Sequence, residues 1–272
     1  MTLVHLIVIA VVQGITEFLP ISSSGHLALV PKLLCWPDQG LLIDVSVHVG
    51  TLGAVITYLR RDVWLMMIAL TRLGLWRRDP GVRLVMMLTI ATVPVIVAGL
   101  LIHTYAGNAL RDIVVIGWAT LGFGLVLYAC DRFGPTRRRI EHLNKFSALL
   151  IGLAQIAALI PGASRAGVTI SAARAMGYQR PDAARFSMLL SIPTIIAAGT
   201  PAGIDLVRLD DASLLYDAVI AAGLTFVTAY IAIALMMRWL RRASFTPFVV
   251  YRIAVGGGVL AFAYSGAQLC TG

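Results

Sequence analysis

The chain has 272 residues, of which 59% are hydrophobic and only 13% charged, with a mean hydropathy of +0.87. A soluble globular domain approaches about a quarter charged residues, so this composition belongs in a bilayer. The excess of 22 Lys+Arg over 13 Asp+Glu falls in short loops between apolar runs and leaves no basic surface interleaved with aromatics, which excludes nucleic acid as a partner.

The first apolar stretch, 3–34, is interrupted by FLPISSSGH. It lacks a basic n-region and carries Gln13 and Glu17, so a removable signal peptide is not expected. A span needs about 20 apolar residues to cross about 30 Å of hydrocarbon. Stretches 41–59, 84–102, 113–130, 184–206, 214–237 and 247–269 qualify, giving six transmembrane helices. Segment 61–75, with Trp64, Met66, Met67, Ile68 and Leu70 between arginines, reads as an interfacial cytoplasmic helix, the alternative being a short extra re-entrant piece. A second broken stretch, 146–177, carries LIPGASRAGVT.

Basic clusters mark one face: Arg60 and Arg61; Arg72, Arg77, Arg78 and Arg83; Arg132 with Arg137 to Arg139; Arg180 and Arg185; Arg238, Arg241 and Arg242. These loops are expected on the cytoplasmic side, and the weakly charged connections 103–112 and 207–213 outside. With 131–145 and 178–185 both cytoplasmic, 146–177 must enter and leave by one face as a re-entrant helical hairpin. The same reading makes 3–34 a hairpin entering from outside. Irregular backbone at membrane depth must be buried in protein or line a watery cavity, so the two tips should meet.

Pro20 to Gly25 lies over Pro161 to Gly167, with Gln13 and Gln155 upstream. The expected fold is therefore a single all-α membrane domain in an inverted-repeat arrangement: repeat one about 1–130, repeat two about 146–272, each a hairpin followed by three spans. The three cysteines, Cys35, Cys130 and Cys270, are widely separated and give neither metal-ligand spacing nor an even framework, so no disulfide is expected as an organiser.

Glu17 and Glu141 are the only glutamates, and an ionised Glu17 inside an apolar helix costs several kcal/mol unless paired or coordinated. Gln13, one turn earlier, shares its face, so the pair offers two oxygens to a hard divalent cation such as Mg²⁺ or Ca²⁺. The bland alternative is a protonated Glu17 bonded across helices. Ser22, Ser23, Ser24 and Gly25 follow the Pro20 break and supply hydroxyls and N–H groups at a helix start, a cradle for phosphate. His26 adds a proton shuttle, against the alternative of a plain interhelical hydrogen bond.

Ser164 and Arg165 occupy the matching second tip, where a guanidinium fork suits phosphate oxygens; Thr169 and Ser171 add hydroxyls. Pairing of Arg165 with Glu17 as a structural lock is the competing role. His48 and Asp44 are weaker candidates for the cavity. Arg252, one turn inside the last span, is expected to snorkel, while His5, His103 and His142 read as interface or loop residues.

QGITEFLPISSSGH together with PGASRAGVT resembles the two signature regions of the undecaprenyl-diphosphate phosphatase (bacitracin-resistance protein) family, and RRASFTPFVVYR resembles its C-terminal region. The resemblance runs through nearly the whole chain. It implies a divalent-cation-dependent hydrolase of the bacterial cytoplasmic (inner) membrane that turns undecaprenyl diphosphate into undecaprenyl phosphate. That reaction recycles the carrier for peptidoglycan and confers bacitracin resistance. The first motif maps to Gln13, Glu17, Ser22, Ser23 and His26, the second to Ser164, Arg165 and Thr169, in a cavity opening to the outer face. Gln13 stands where the family often has Glu, and Ala166 where it often has Ser.

On this reading Glu17 and Gln13 hold the cation, Arg165 and the tip amides grip the diphosphate, Ser23 attacks phosphorus and His26 moves protons. Water activated by His26 or the metal is the alternative nucleophile. Partners are the lipid substrate, membrane lipids and, as an assembly option, a second copy in a homodimer. A transporter or flippase of the lipid carrier is the rival reading, suggested by the broken helices.

Overall fold

The structure is a computed structural model that describes residues 2–37, 39–71, 79–105, 112–206 and 212–265. Eleven α-helices are described: α1 (Leu3–Thr16), α2 (Ser23–Leu34), α3 (Gly40–Tyr58), α4 (Arg60–Leu70), α5 (Pro80–Tyr105), α6 (Ile113–Phe133), α7 (Lys145–Gln155), α8 (Arg165–Ala175), α9 (Arg180–Leu206), α10 (Ala212–Leu240) and α11 (Thr246–Tyr264). No strand occurs among the described residues.

Polar residues set the helix starts by accepting orphan N–H groups. Thr2 accepts from the His5 amide at 3.3 Å, Asp112 from Val114 at 2.7 Å and Asn144 from Ser147 at 2.8 Å.

Six helices are long and apolar enough to span a membrane: Gly40–Tyr58, Pro80–Ile102, Ile113–Phe133, Arg180–Thr200, Leu214–Leu240 and Thr246–Tyr264. The chain is a multi-pass membrane protein, and the six expected spans are the six found. Several helices run past their apolar stretch into charged residues, α9 from Arg180 and α10 to Leu240, because an end at the basic face can keep its turns while its side chains reach water. The expected interfacial segment is α4, whose Trp64, Leu65, Met67 and Leu70 are exposed; residues 72–78 of that expectation lie outside the described residues. So do 106–111 and 207–211, which hold most of the two weakly charged connections.

Helix α3 packs along α10, α6 along α11, α1 on α10 and α5 on α7. Small residues permit this closeness. A Cβ on Gly14 would lie 2.0 Å from Thr228 Oγ1, and one on Gly50 would lie 2.3 Å from the Ala222 carbonyl oxygen. A buried polar knot closes the basic end: Asp131 Oδ1 accepts from Arg174 Nε and Arg180 Nε, both at 2.8 Å, while Oδ2 accepts from the Phe245 amide at 3.2 Å. Arg185 bonds Asp62 through both carboxylate oxygens. Arg180 and Arg185, expected as topology markers, are thus also structural ties between α6, α9 and α4.

Two expectations fail. Cys35 is disulfide-bonded, with a partner outside the described residues, while Cys130 is free. Wide separation and an odd cysteine count do not by themselves exclude a bridge. Arg252 does not snorkel: it is fully buried, for the reason given below.

Candidate active site

After α1 the chain turns through Pro20, and Ser22 takes φ 75°, a left-handed conformation, before α2 begins. Ser22 Oγ accepts from the Gly25 amide at 3.4 Å. The second break repeats this: Ser164 takes φ 71° and its Oγ accepts from the Gly167 amide at 3.1 Å. In both, a serine cap three residues before a glycine starts the helix, so a strained turn and its compensating hydrogen bond occur twice.

The two breaks touch. A Cβ on Gly25 would lie 3.6 Å from the Gly162 Cα, and Gly162 itself has φ +95°. Broken helices leave carbonyls without intrahelical partners, and Arg252 of α11 takes them up. It donates to Pro20 at the first break (3.2 Å), to Gly162 (3.0 Å) and Ala163 (3.1 Å) at the second, and to Thr120 (2.9 Å) and Ala119 (3.4 Å) of α6. Those acceptors hold the guanidinium inside, at a point that binds both breaks to the spans.

Glu17 lies at the centre of the joined breaks. Its Oε1 accepts from Arg165 Nη2 at 2.9 Å; its Oε2 accepts from Ser23 Oγ at 2.7 Å and from Gln13 Nε2 at 3.0 Å. Arg165 also donates to the Ser187 carbonyl at 3.2 Å and lies over the Phe18 ring, 5.9 Å from its centroid. Thr169 Oγ1, fully buried, donates to the Arg165 carbonyl at 2.8 Å and lies 2.7 Å from Ser187 Oγ. Ser24 is exposed, 3.5 Å from Ser22 Oγ.

His26 Nδ1 lies 2.6 Å from the Ser22 carbonyl, which can only accept, so Nδ1 carries the proton. In the neutral ring Nε2 then accepts from the Tyr251 hydroxyl at 2.7 Å, and the two rings stack at 5.7 Å. His48 is oriented likewise: Nδ1 bonds the Asp44 carbonyl at 2.7 Å and Nε2 stands 3.9 Å from Glu17 Oε2.

The family pattern described as "Bacitracin resistance protein BacA" matches residues 6–258. The chain belongs to this family. It is similar to Undecaprenyl-diphosphatase of Ruegeria pomeroyi, 53% identical over 97% of this chain and 100% of that protein. It is also similar to Undecaprenyl-diphosphatase 1 of Rhodospirillum rubrum, 49% identical over 99% and 98%, and to Undecaprenyl-diphosphatase of Alteromonas mediterranea, 41% identical over 97% and 100%.

In this BacA-family chain the residues singled out from sequence stand around one point. Gln13, Glu17, Ser23 and Arg165 are joined by direct hydrogen bonds; Ser22, Gly25 and Ser164 build the breaks; Thr169 braces Arg165 from behind. Ser23 and His26 form no hydrogen bond with each other among the described contacts, since both ring nitrogens of His26 are engaged elsewhere. Sequence reasoning passed over Tyr251, Ser187 and Phe18. The only signal for Tyr251 was its place beside Arg252 in the C-terminal motif.

Gln13 and Glu17 are the oxygen donors that could take part in holding a divalent cation. Gln13 Oε1 is buried without a hydrogen-bond partner, while Nε2 of the same amide faces the Glu17 carboxylate. Two protein oxygens suit a hard cation that completes its shell with phosphate and water. Among the described residues no group of three His, Cys, Asp or Glu side chains offers a fuller cage.

Proposed function

We propose that this protein hydrolyses undecaprenyl diphosphate to undecaprenyl phosphate and inorganic phosphate. The observation that carries the reading is the Ser23–Glu17–Arg165 constellation: a hydroxyl bonded to a buried carboxylate, itself bonded to a guanidinium, where two helix starts converge. The relatives named undecaprenyl-diphosphatase support the substrate. They also weigh against the transporter reading, which rests on the broken helices alone.

Loss of a terminal phosphoryl group is limited by charge, so the residues act by positioning and compensation. Arg165 is the fork for the phosphate oxygens, with the amide groups at the start of α2 beside it. Ser23 Oγ attacks the terminal phosphorus while its proton passes to Glu17 Oε2. The bond from phosphorus to the bridging oxygen breaks and undecaprenyl phosphate leaves. Water then cleaves the phosphoserine and yields inorganic phosphate. The His26–Tyr251 pair, at the start of α2, is the second proton-exchanging group near the site. Gln13 and Glu17 would hold a divalent cation, Mg²⁺ or Ca²⁺, which when bound neutralises diphosphate charge.

We further propose that the two broken helical pairs are re-entrant hairpins of an inverted repeat in one membrane domain. The exchange of contacts supports this: α1 packs on α10 as α7 packs on α5, α3 packs on α10 as α9 packs on α5, and α3 meets α9 as α6 meets α11. Matching serine caps at the two breaks add to it. With the arginine-rich face cytoplasmic, the protein lies in the bacterial inner membrane with its site open to the outer side.

Purified protein in detergent, with no second compartment, should release inorganic phosphate from undecaprenyl diphosphate. Well-folded protein that releases none with any divalent cation would overturn the proposal.

A further inference from the structure

Two cavities open at the basic end of the molecule, and they differ in charge. One, of about 810 Å³, is internally neutralised: its Arg185 is bonded to Asp62, and Asp79 and Glu141 also line it. The other, of about 1300 Å³, is lined by Arg238, Arg241 and Arg242, and no acidic residue lines it. None of these three arginines is paired with a carboxylate among the described residues. Trp239 stands among them, its indole held by a 3.0 Å bond to the Ser244 carbonyl.

Apart from Tyr58 and Thr228, the rest of that groove is apolar. Ile231 and Leu235, both exposed, lie one turn apart on α10 and lead to the arginines, with Leu19 of the first break and Phe248 of α11 across from them. From Ile231 to Leu240 the helix rises about 14 Å, roughly half of a bilayer's hydrocarbon thickness. The groove therefore has the polarity of one leaflet, cationic and tryptophan-bearing at the surface, hydrocarbon-like towards the middle. A polyprenyl tail running from Glu17 along this groove would meet its polarity reversed, with its far, apolar end among the arginines. Topology accounts for basic residues in a loop; it does not account for three of them sharing one unneutralised groove with an apolar wall.

We propose that this groove is a binding site for one anionic phospholipid of the surrounding bilayer, its phosphate held by Arg238, Arg241 and Arg242 and an acyl chain lying along Ile231 and Leu235. Basic pockets between membrane helices recognise such headgroups, each arginine contributing about fivefold in affinity.

Native mass spectrometry of the full chain released from phosphatidylglycerol-containing nanodiscs, beside phosphatidylcholine ones, tests this. Wild type should retain one phosphatidylglycerol and no phosphatidylcholine. The triple variant R238Q/R241Q/R242Q should bind it about a hundredfold more weakly. Leu235→Trp, which fills the apolar wall and keeps the arginines, should also lose it, whereas R132Q/R137Q/R139Q, with the same charge removed elsewhere on that face, should keep it. Retention by the groove variants, equal loss in the distant triple variant, or absence of phosphatidylglycerol from wild type would overturn the proposal. Displacement by equimolar undecaprenyl phosphate would overturn it too, by assigning the groove to the reaction product. The binding readout does not depend on whether the protein releases phosphate.

Discussion

Arg165 Nη2 lies 2.9 Å from Glu17 Oε1, a contact between residues 148 positions apart that joins the first helix break to the second. Both side chains are largely withdrawn from solvent, so each is the other's main compensation, and removing either strands a buried charge. Glu17→Gln keeps the shape and deletes the charge. It should lower kcat/KM for undecaprenyl diphosphate by at least about 10²-fold, and Arg165→Lys, which keeps charge but loses the fork, by a similar factor. Phosphate release assays on both variants check this.

Ser23 donates to Glu17 Oε2, and in the proposed mechanism that carboxylate orients the hydroxyl and takes its proton. Ser23→Ala should therefore reduce turnover by about 10⁴-fold or more, and acid-quenched wild-type protein should carry phosphate on Ser23 by mass spectrometry. Ser23→Ala with about a tenth of wild-type activity and no phosphoserine in wild type would assign the attack to water.

Arg252 has five carbonyl acceptors on three parts of the chain, and its loss would leave those of Pro20, Gly162 and Ala163, at the two breaks, without this donor. Arg252→Met should destabilise the protein by about 3–5 kcal/mol, read as a lowered thermal midpoint in detergent. Arg252→Lys should not restore it, because a single ammonium cannot reach acceptors spread over both breaks and α6.

Much of this was legible in the residues and some was not. The six spans and both breaks follow from apolar run length and from Pro, Gly and Ser at two places, signals local to the sequence. Glu17 and Arg165 stand out because a charge at that depth needs a reason. Tyr251 and Ser187 carry no such signal, since a tyrosine or serine in an apolar helix is unremarkable until the fold brings His26 or Thr169 beside it. Arg252 looked like a snorkelling residue because sequence position does not reveal that two helix breaks deliver their free carbonyls there.

Tyr251 donates to His26 Nε2 and stacks on the ring. Tyr251→Phe keeps the stacking and removes the donor, so kcat should fall about tenfold with KM little changed, and the pH dependence of kcat should move. An unchanged pH profile would reduce Tyr251 to packing.

The most direct test of the central claim is phosphate release from undecaprenyl diphosphate by the purified protein, with and without a chelator, for wild type beside Glu17→Ala and Arg165→Ala. Metal-dependent release by wild type, lost in both folded variants, is the predicted result. Release that persists in either variant would contradict a site formed by the two joined breaks.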